Sequence, residues 1–171
     1  EKLERLYEAL QQAEKNLVPL HDPEEDKLYL WNGNNMPWHL LSAAEWAEKS
    51  FDAPDFQPHV VKHLVPDGKK HPAVFVSGGR YRENLRGSRP VAEMLVEHGY
   101  HAFVLNDRHG GGLAVRKSMV RSMDLQRAIR LVRAHAEELN VDPGRIVTYG
   151  LSMGNRPTID LINSLGIHTN P

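Results

Sequence analysis

The second half of the sequence alternates short apolar runs with amphipathic segments, and this alternation restricts the fold more than any other feature. The runs are AVFV after Pro72, AFVL after His101 and RIVTY beginning at Arg145. None of them alternates apolar with polar residues, which is typical of strands covered on both faces. Because helical segments separate these strands, the pattern predicts a parallel sheet in an α/β fold. We expect a three-layer sandwich that is incomplete at the C-terminus.

The spacing of apolar residues and the residues at segment ends predict the helices. Ser88 is the expected N-cap of a helix that stops at Gly99, and a third helix is expected from Pro157. Charged residues on the long helix between them are interpreted as a solvated face. Further elements are expected as helices at residues 2–17, 42–49 and 118–139 and strands at residues 27–31 and 59–65. We divide the chain into an N-terminal part, residues 1–65, and an α/β core, residues 66–171.

Composition excludes several classes of protein. The net charge of −1 and the pI of about 6.9 leave no electrostatic footprint for nucleic acid. The chain has no cysteine, so disulfides and thiolate metal sites are excluded, and we expect no metal. No apolar run is long enough to span a bilayer. The start lacks a signal-like segment, which favours a cytoplasmic protein, and a homo-oligomer remains open.

The strand RIVTY leads directly into Gly150-Leu151-Ser152-Met153-Gly154, a G-x-S-x-G pattern. A nucleophilic serine must project its hydroxyl from a tight strand-to-helix turn, and side chains two residues before and after it would clash there. Gly150 and Gly154 meet this requirement. The helix that follows places N–H groups near a developing negative charge. We therefore predict that Ser152 is a nucleophile on such an elbow; the alternative is an ordinary glycine-containing loop.

The earlier strand AVFV ends in Ser77-Gly78-Gly79. Carboxyl ends of parallel strands meet at one edge of a sheet, where ligands bind. Glycines at that edge allow the backbone to approach a substrate oxygen closely, so this loop is a candidate oxyanion loop; the alternative is a tight turn into the next helix. The segment HGGG at His109 offers a second candidate, but it follows a later strand and we prefer the first.

These motifs occur in an order and spacing that resemble the α/β-hydrolase superfamily. The segments HPAVFVSGG, VAEMLVEHGYHAFVLNDR and DPGRIVTYGLSMG resemble its esterase/lipase group, which includes acetyl-xylan esterase-like and feruloyl esterase-like enzymes. The resemblance covers about residues 72–165. It implies a serine carboxylic-ester hydrolase, a small acyl or sugar ester as substrate, and no cofactor.

The resemblance also implies roles for individual residues. Ser152 is the implied nucleophile, the backbone N–H groups of Met153 and Gly79 are the implied oxyanion donors, and Gly78 shapes the loop. Arg80 stands where the family loop has a third glycine, which is a departure from the pattern. Pocket positions are expected at Arg80, Tyr81 and His109.

The acid and the base of a catalytic triad are missing from the expected places. After Ser152 the superfamily order is an acid and then a histidine on loops that follow later strands. Here the candidates are Asp160, within the helix that begins at the elbow, and His168, three residues after that helix; neither suits the role. The chain therefore resembles an N-terminal portion of a longer hydrolase, and the elbow strand is expected to be a sheet edge with uncovered apolar surface. The alternatives are a peptidase of the same superfamily and a non-catalytic α/β binding module or inactive fragment.

Overall fold

The computed structural model describes residues 26–31, 58–78, 85–107 and 114–168. Within these ranges there are five strands and three helices, and from His71 onward the last three strands alternate with the helices. The elements are β1 (Lys27–Tyr29), β2 (His59–His63), β3 (His71–Ser77), α1 (Leu85–Glu97), β4 (His101–Asn106), α2 (Ala114–Ala134), β5 (Val141–Gly150), a 3₁₀ turn (Ser152–Gly154) and α3 (Asn155–His168).

The five strands form one sheet in the order β1-β2-β4-β3-β5. The predicted parallel arrangement is confirmed for β3, β4 and β5. β1 and β2 extend the sheet antiparallel, with Val61 opposite Val104 of β4. The sheet is therefore mixed. The division of the chain between residues 65 and 66 stays a prediction, and the two leading strands bond to the same sheet as the core.

Several helix boundaries differ from the sequence expectation, and α2 begins earlier than expected, at Ala114. α1 begins at Leu85, so Ser88 lies inside the helix and is not its N-cap. The chain tolerates Pro90 in the second turn at the cost of one intrahelical hydrogen bond. α2 ends at Ala134, and the residues up to Asn140 form turns, with Asn140 in the left-handed region (φ 53°) where a helix exit favours asparagine. α3 begins at Asn155, two residues before Pro157. The helices expected at residues 2–17 and 42–49 lie outside the described residues.

Apolar side chains line both faces of the sheet, and helices pack on each face. These are the three layers that the sequence predicts. One cluster joins Phe75 and Phe103, stacked at 5.4 Å, to Leu125 and Leu131 of α2. The second cluster lies under α1 and includes Val76, Ala92 and Val104. α3 packs on α2 and on β5. No helix in the described part of the chain has both the length and the apolar character needed to cross a membrane.

β5 lies at the edge of the sheet, where its only described neighbour is β3. Val147 and Tyr149 of this strand are 58% and 45% exposed. Their register partners in β3, Val74 and Val76, are buried under α1, so the two exposed side chains lie on the same face beyond the reach of that helix. This agrees with the expectation that the last strand leaves apolar surface uncovered.

Candidate active site

The connection between β5 and α3, residues 151–154, is a sharp turn that presents Ser152. Ser152 has φ 53°, one of two non-glycine residues with positive φ among the described residues, and its side chain is exposed. A serine in this region is strained by roughly 1–3 kcal/mol, so the surrounding contacts must hold it there. Two hydrogen bonds do so: Leu151 N donates to Ser77 O at 2.9 Å, and Gly154 N donates to Leu151 O at 2.8 Å.

Two glycines make this turn possible. A Cβ on Gly154 would lie 2.0 Å from the carbonyl oxygen of Ser77 and 2.7 Å from that of Gly78. A Cβ on Gly150 would lie 2.6 Å from Cα of Asn155. All three obstacles are backbone atoms, which cannot rotate away. The spacing of the two glycines around Ser152 therefore has the steric reason that the sequence analysis anticipated.

The electrostatics of the turn favour a negative charge near Ser152. α3 has 14 residues and starts directly after the 3₁₀ turn. The first N–H groups of a helix lack intrahelical partners and carry partial positive charge. The backbone of Met153 lies in this turn, next to the Ser152 side chain. An anion that forms at the Ser152 hydroxyl thus meets the N-terminal end of a helix dipole.

The carboxyl end of β3 lies against the turn. Ser77 accepts the Leu151 hydrogen bond through its backbone, while its side-chain Oγ is buried (2% exposed) and has no hydrogen-bond partner among the described residues. Gly78 follows it, buried beside Gly154. The fold thus brings Gly78 against Gly154, two residues after Ser152, and its role in an oxyanion loop stays a prediction. The other residues predicted for this loop and pocket, Gly79, Arg80, Tyr81 and His109, lie outside the described residues.

The carboxyl end of β4 carries polar groups that the sequence analysis left without a role. Arg121 Nε of α2 donates to Asp107 Oδ2 at 2.7 Å, with side chains only 6% and 4% exposed. Asn106 precedes Asp107 and has a buried Nδ2 for which the described part of the chain offers no hydrogen-bond partner. A buried ion pair at a strand end fixes that end against the helix that follows.

The buried charges of α2 correct the interpretation of this helix. Its charged residues were expected to face solvent, but Arg121, Asp124 and Arg127 are buried. Asp124 accepts a 2.8 Å hydrogen bond from Trp31 Nε1, and Arg127 donates to Leu30 O at 2.9 Å. The sequence did contain a signal for this burial, because the three charged residues recur at every third position, next to the apolar residues of the helix. Each has a partner on a strand end, so α2 ties the ends of β1 and β4 together.

The two triad candidates after Ser152 do not come together. Asp160 lies on α3 and faces Arg156 of the same helix, with Oδ1 and Nε 3.4 Å apart. His168 is the last residue of α3, which extends further than the sequence suggested. Eight residues along a helix place their Cα atoms about 12 Å apart. The two residues therefore lie more than two helical turns apart on one helix, and neither follows a later strand as the triad order requires. The described residues also hold no cluster of three or more potential metal ligands.

An α/β sheet in which a parallel strand turns sharply at an exposed, strained serine into a helix is the arrangement of the esterase-like α/β hydrolases. Comparison with solved structures confirms the resemblance. The chain is 33% identical to an acetyl ester-xyloside bifunctional hydrolase from Caldicellulosiruptor lactoaceticus, with a TM-score of 0.60, over 75% of this chain and 43% of that one.

Two further structures are of a thermophilic esterase from the planctomycete Thermogutta terrifontis. The butyrate-bound form is 27% identical with a TM-score of 0.50, over 59% of this chain and 38% of that one. The form phosphonylated by cyclosarin is 21% identical with a TM-score of 0.54, over 79% and 45%, and supports the fold alone. The chain thus spans less than half the length of these enzymes. No protein-family model and no curated protein matches it.

Proposed function

We propose that this chain carries the nucleophile and part of the oxyanion-binding site of a serine carboxylic-ester hydrolase. The observation that carries the proposal is Ser152, exposed at φ 53° on a turn that only glycines at positions 150 and 154 permit. A strained residue held by its surroundings is typical of a functional position. The same position lies at the N-terminal end of α3 and beside Gly78.

The chemistry follows from this placement. Ser152 Oγ attacks the ester carbonyl carbon while a base takes its proton, and the carbonyl oxygen becomes an oxyanion. Backbone N–H groups at Met153 and at Gly79 donate to that oxyanion. Collapse releases the alcohol and leaves an acyl group on Ser152, and water then releases the acid. The base is not Asp160 or His168, since both lie on α3, and the chain assigns this role to no described residue.

The proposed substrate is an ester of a short acyl group, with acetylated sugars as one candidate. One similar enzyme is described as an acetyl ester-xyloside hydrolase and another holds butyrate, and both names refer to short acyl groups. In the proposal, this chain contains the groups that act on the acyl carbonyl. The nucleophile attacks its carbon, and the oxyanion donors bind its oxygen.

Ester turnover tests the proposal. The chain and its Ser152→Ala variant are assayed with p-nitrophenyl acetate, butyrate and octanoate, with and without imidazole as an external base, after subtraction of the protein-free rate. Ser88→Ala, which removes a buried hydroxyl from α1, is the matched control. We expect hydrolysis of the acetate and butyrate esters that imidazole accelerates, is lost in Ser152→Ala and persists in Ser88→Ala. Equal rates for the chain and Ser152→Ala would overturn the proposal.

A further inference from the structure

Two histidine rings meet at the amino ends of the parallel strands, the opposite edge of the sheet from Ser152. His71 begins β3 and His101 begins β4. The ring centroids are 5.0 Å apart in an edge-on arrangement. His101 is only 1% exposed, which is unusual for a group that can carry charge. The hydrogen bonds around this pair decide which protonation state of His101 fits the structure.

The contacts of His101 require a neutral ring. The backbone N–H of Val65 donates to Nδ1 at 3.0 Å, so Nδ1 must present a lone pair. Nε2 lies 2.9 Å from the carbonyl oxygen of Asn140 and therefore carries the proton. Burial is the largest effect and lowers the pKa of His101; the Asn140 hydrogen bond raises it by a smaller amount, and the charges of His71 and Asp67 then lower and raise it in turn. Geometry and burial thus agree on the neutral form.

The contacts of His71 are of the opposite kind. Nδ1 lies 2.9 Å from the carbonyl oxygen of Gly99, and Nε2 lies 2.8 Å from Oδ1 of Asp67. Both partners are acceptors, so the two hydrogen bonds form together only when the ring carries two protons. The N–H of Lys69 and the His71 side chain hold the pKa of Asp67 below its usual range, which keeps this carboxylate charged.

His101 joins segments that are far apart in the sequence. Val65 belongs to the connection between β2 and β3, and Asn140 to the connection between α2 and β5. The carbonyl of Asn140 also accepts a 2.9 Å hydrogen bond from the N–H of His71. One neutral imidazole therefore holds the entry to β3 and the entry to β5 against the start of β4.

We propose that His101 is an acid-sensitive latch at the amino edge of the sheet. When Nδ1 takes a proton from solvent, it becomes a donor that faces the N–H of Val65, and that hydrogen bond is lost. The new cation also lies against His71. The other charged groups around the pair are Asp67, Lys69 and Lys70 of the β2–β3 connection and Glu137, which pairs with Lys70. Protonation therefore releases the β2–β3 connection at the amino ends of the parallel strands, whereas Ser152 lies at their carboxyl ends.

The direction of the pH dependence follows from the lowered pKa. In the unfolded chain histidine titrates near about 6.5, and in the folded chain His101 titrates lower. Between these two values the unfolded chain binds more protons, so the free energy of unfolding falls as the pH falls below about 6.5. Above that value the contribution of His101 is fully present. Burial also lowers the pKa of His63, which acts in the same direction and must be separated.

Two measurements on the full chain test the latch. Urea unfolding from about pH 8 to about pH 5 compares the wild type with His101→Gln, which keeps a donor and an acceptor but does not titrate. His98→Gln is the matched control, because His98 is an exposed ring on the neighbouring turn, and His63→Gln measures the second buried ring. We expect the loss of stability in acid to shrink in His101→Gln and to persist in His98→Gln. An unchanged loss in His101→Gln would overturn the proposal.

If His101→Gln does not fold, nuclear magnetic resonance on the wild type tests the proposal. The ring nitrogens of His101 should report the Nε2–H neutral form at neutral pH and a pKa below about 6.5. The amide protection factor of Val65 should fall by up to about tenfold for each pH unit between about 6.5 and that lower pKa, because opening is linked to one proton in this range. A His101 ring that titrates at or above the ordinary value, or a Val65 protection factor independent of pH, would refute the latch.

Discussion

Replacing Gly154 by alanine tests how the Ser152 turn is packed on β3. An alanine Cβ would stand 2.0 Å from Ser77 O and 2.6 Å from Ser77 C. Real Cβ contacts essentially never fall below 3.0 Å, so the turn and β3 must separate by at least about 1 Å. Overpacking of this kind costs about 1–3 kcal/mol. The same displacement breaks the Leu151–Ser77 hydrogen bond, which contributes roughly another 1 kcal/mol.

We therefore expect Gly154→Ala to lower the free energy of unfolding by about 2–4 kcal/mol, a large part of the roughly 5–15 kcal/mol typical of a domain. The assay is urea unfolding followed by far-UV circular dichroism, with the slope m checked for constancy. Gly144→Ala is the matched control, since its Cβ would meet only Asp142 Oδ1 at 3.4 Å and its φ is not positive. That control should change stability by about 0.5 kcal/mol or less. If Gly154→Ala lost no more stability than Gly144→Ala, the close packing of the Ser152 turn on β3 would be refuted.

Two further predictions concern the charges at the carboxyl edge of the sheet. The chain has no cysteine, so Ser152→Cys introduces a single thiol whose pKa should fall below about 8.5 at the N-terminal end of α3. The rate of alkylation by iodoacetamide against pH measures it, with Ile162→Cys on the exposed side of the same helix as control; equal midpoints would contradict the electrostatic account. Asp107→Ala leaves the buried Arg121 without its carboxylate and should cost about 3–5 kcal/mol in urea unfolding. Glu93→Ala, from an exposed helix pair, should cost about 0.3–0.5 kcal/mol, and similar losses in both variants would refute the role of burial.

The parallel core was predictable because its signals are local. Apolar runs such as those containing Phe75 and Phe103 bury both faces of a strand, and helical spacing separates them. The Ser152 turn was predictable because the G-x-S-x-G motif itself marks the two positions that must be glycine. The contact that restricts Gly154 is with the neighbouring strand β3. These features depend on sterics that a short stretch of sequence expresses directly.

What the sequence did not reveal depends on contacts between distant segments. The antiparallel addition of β1 and β2 to the sheet depends on pairing between strands that are thirty or more residues apart, such as that of Val61 with Val104. The burial of Arg121, Asp124 and Arg127 depends on partners that no local pattern marks. The neutral state of His101 likewise depends on Val65 and Asn140, which are distant in the sequence and meet at one ring.

The most direct test of the central claim is to identify the residue that a fluorophosphonate modifies. The chain is treated with the probe, with and without imidazole, and the adduct is located by peptide mass spectrometry, with Ser152→Ala as control. The account predicts an adduct on Ser152, faster with imidazole, and none in Ser152→Ala, because the turn exposes this hydroxyl beside the N-terminal end of α3. An adduct on another residue, or no adduct at Ser152 under either condition, would contradict it.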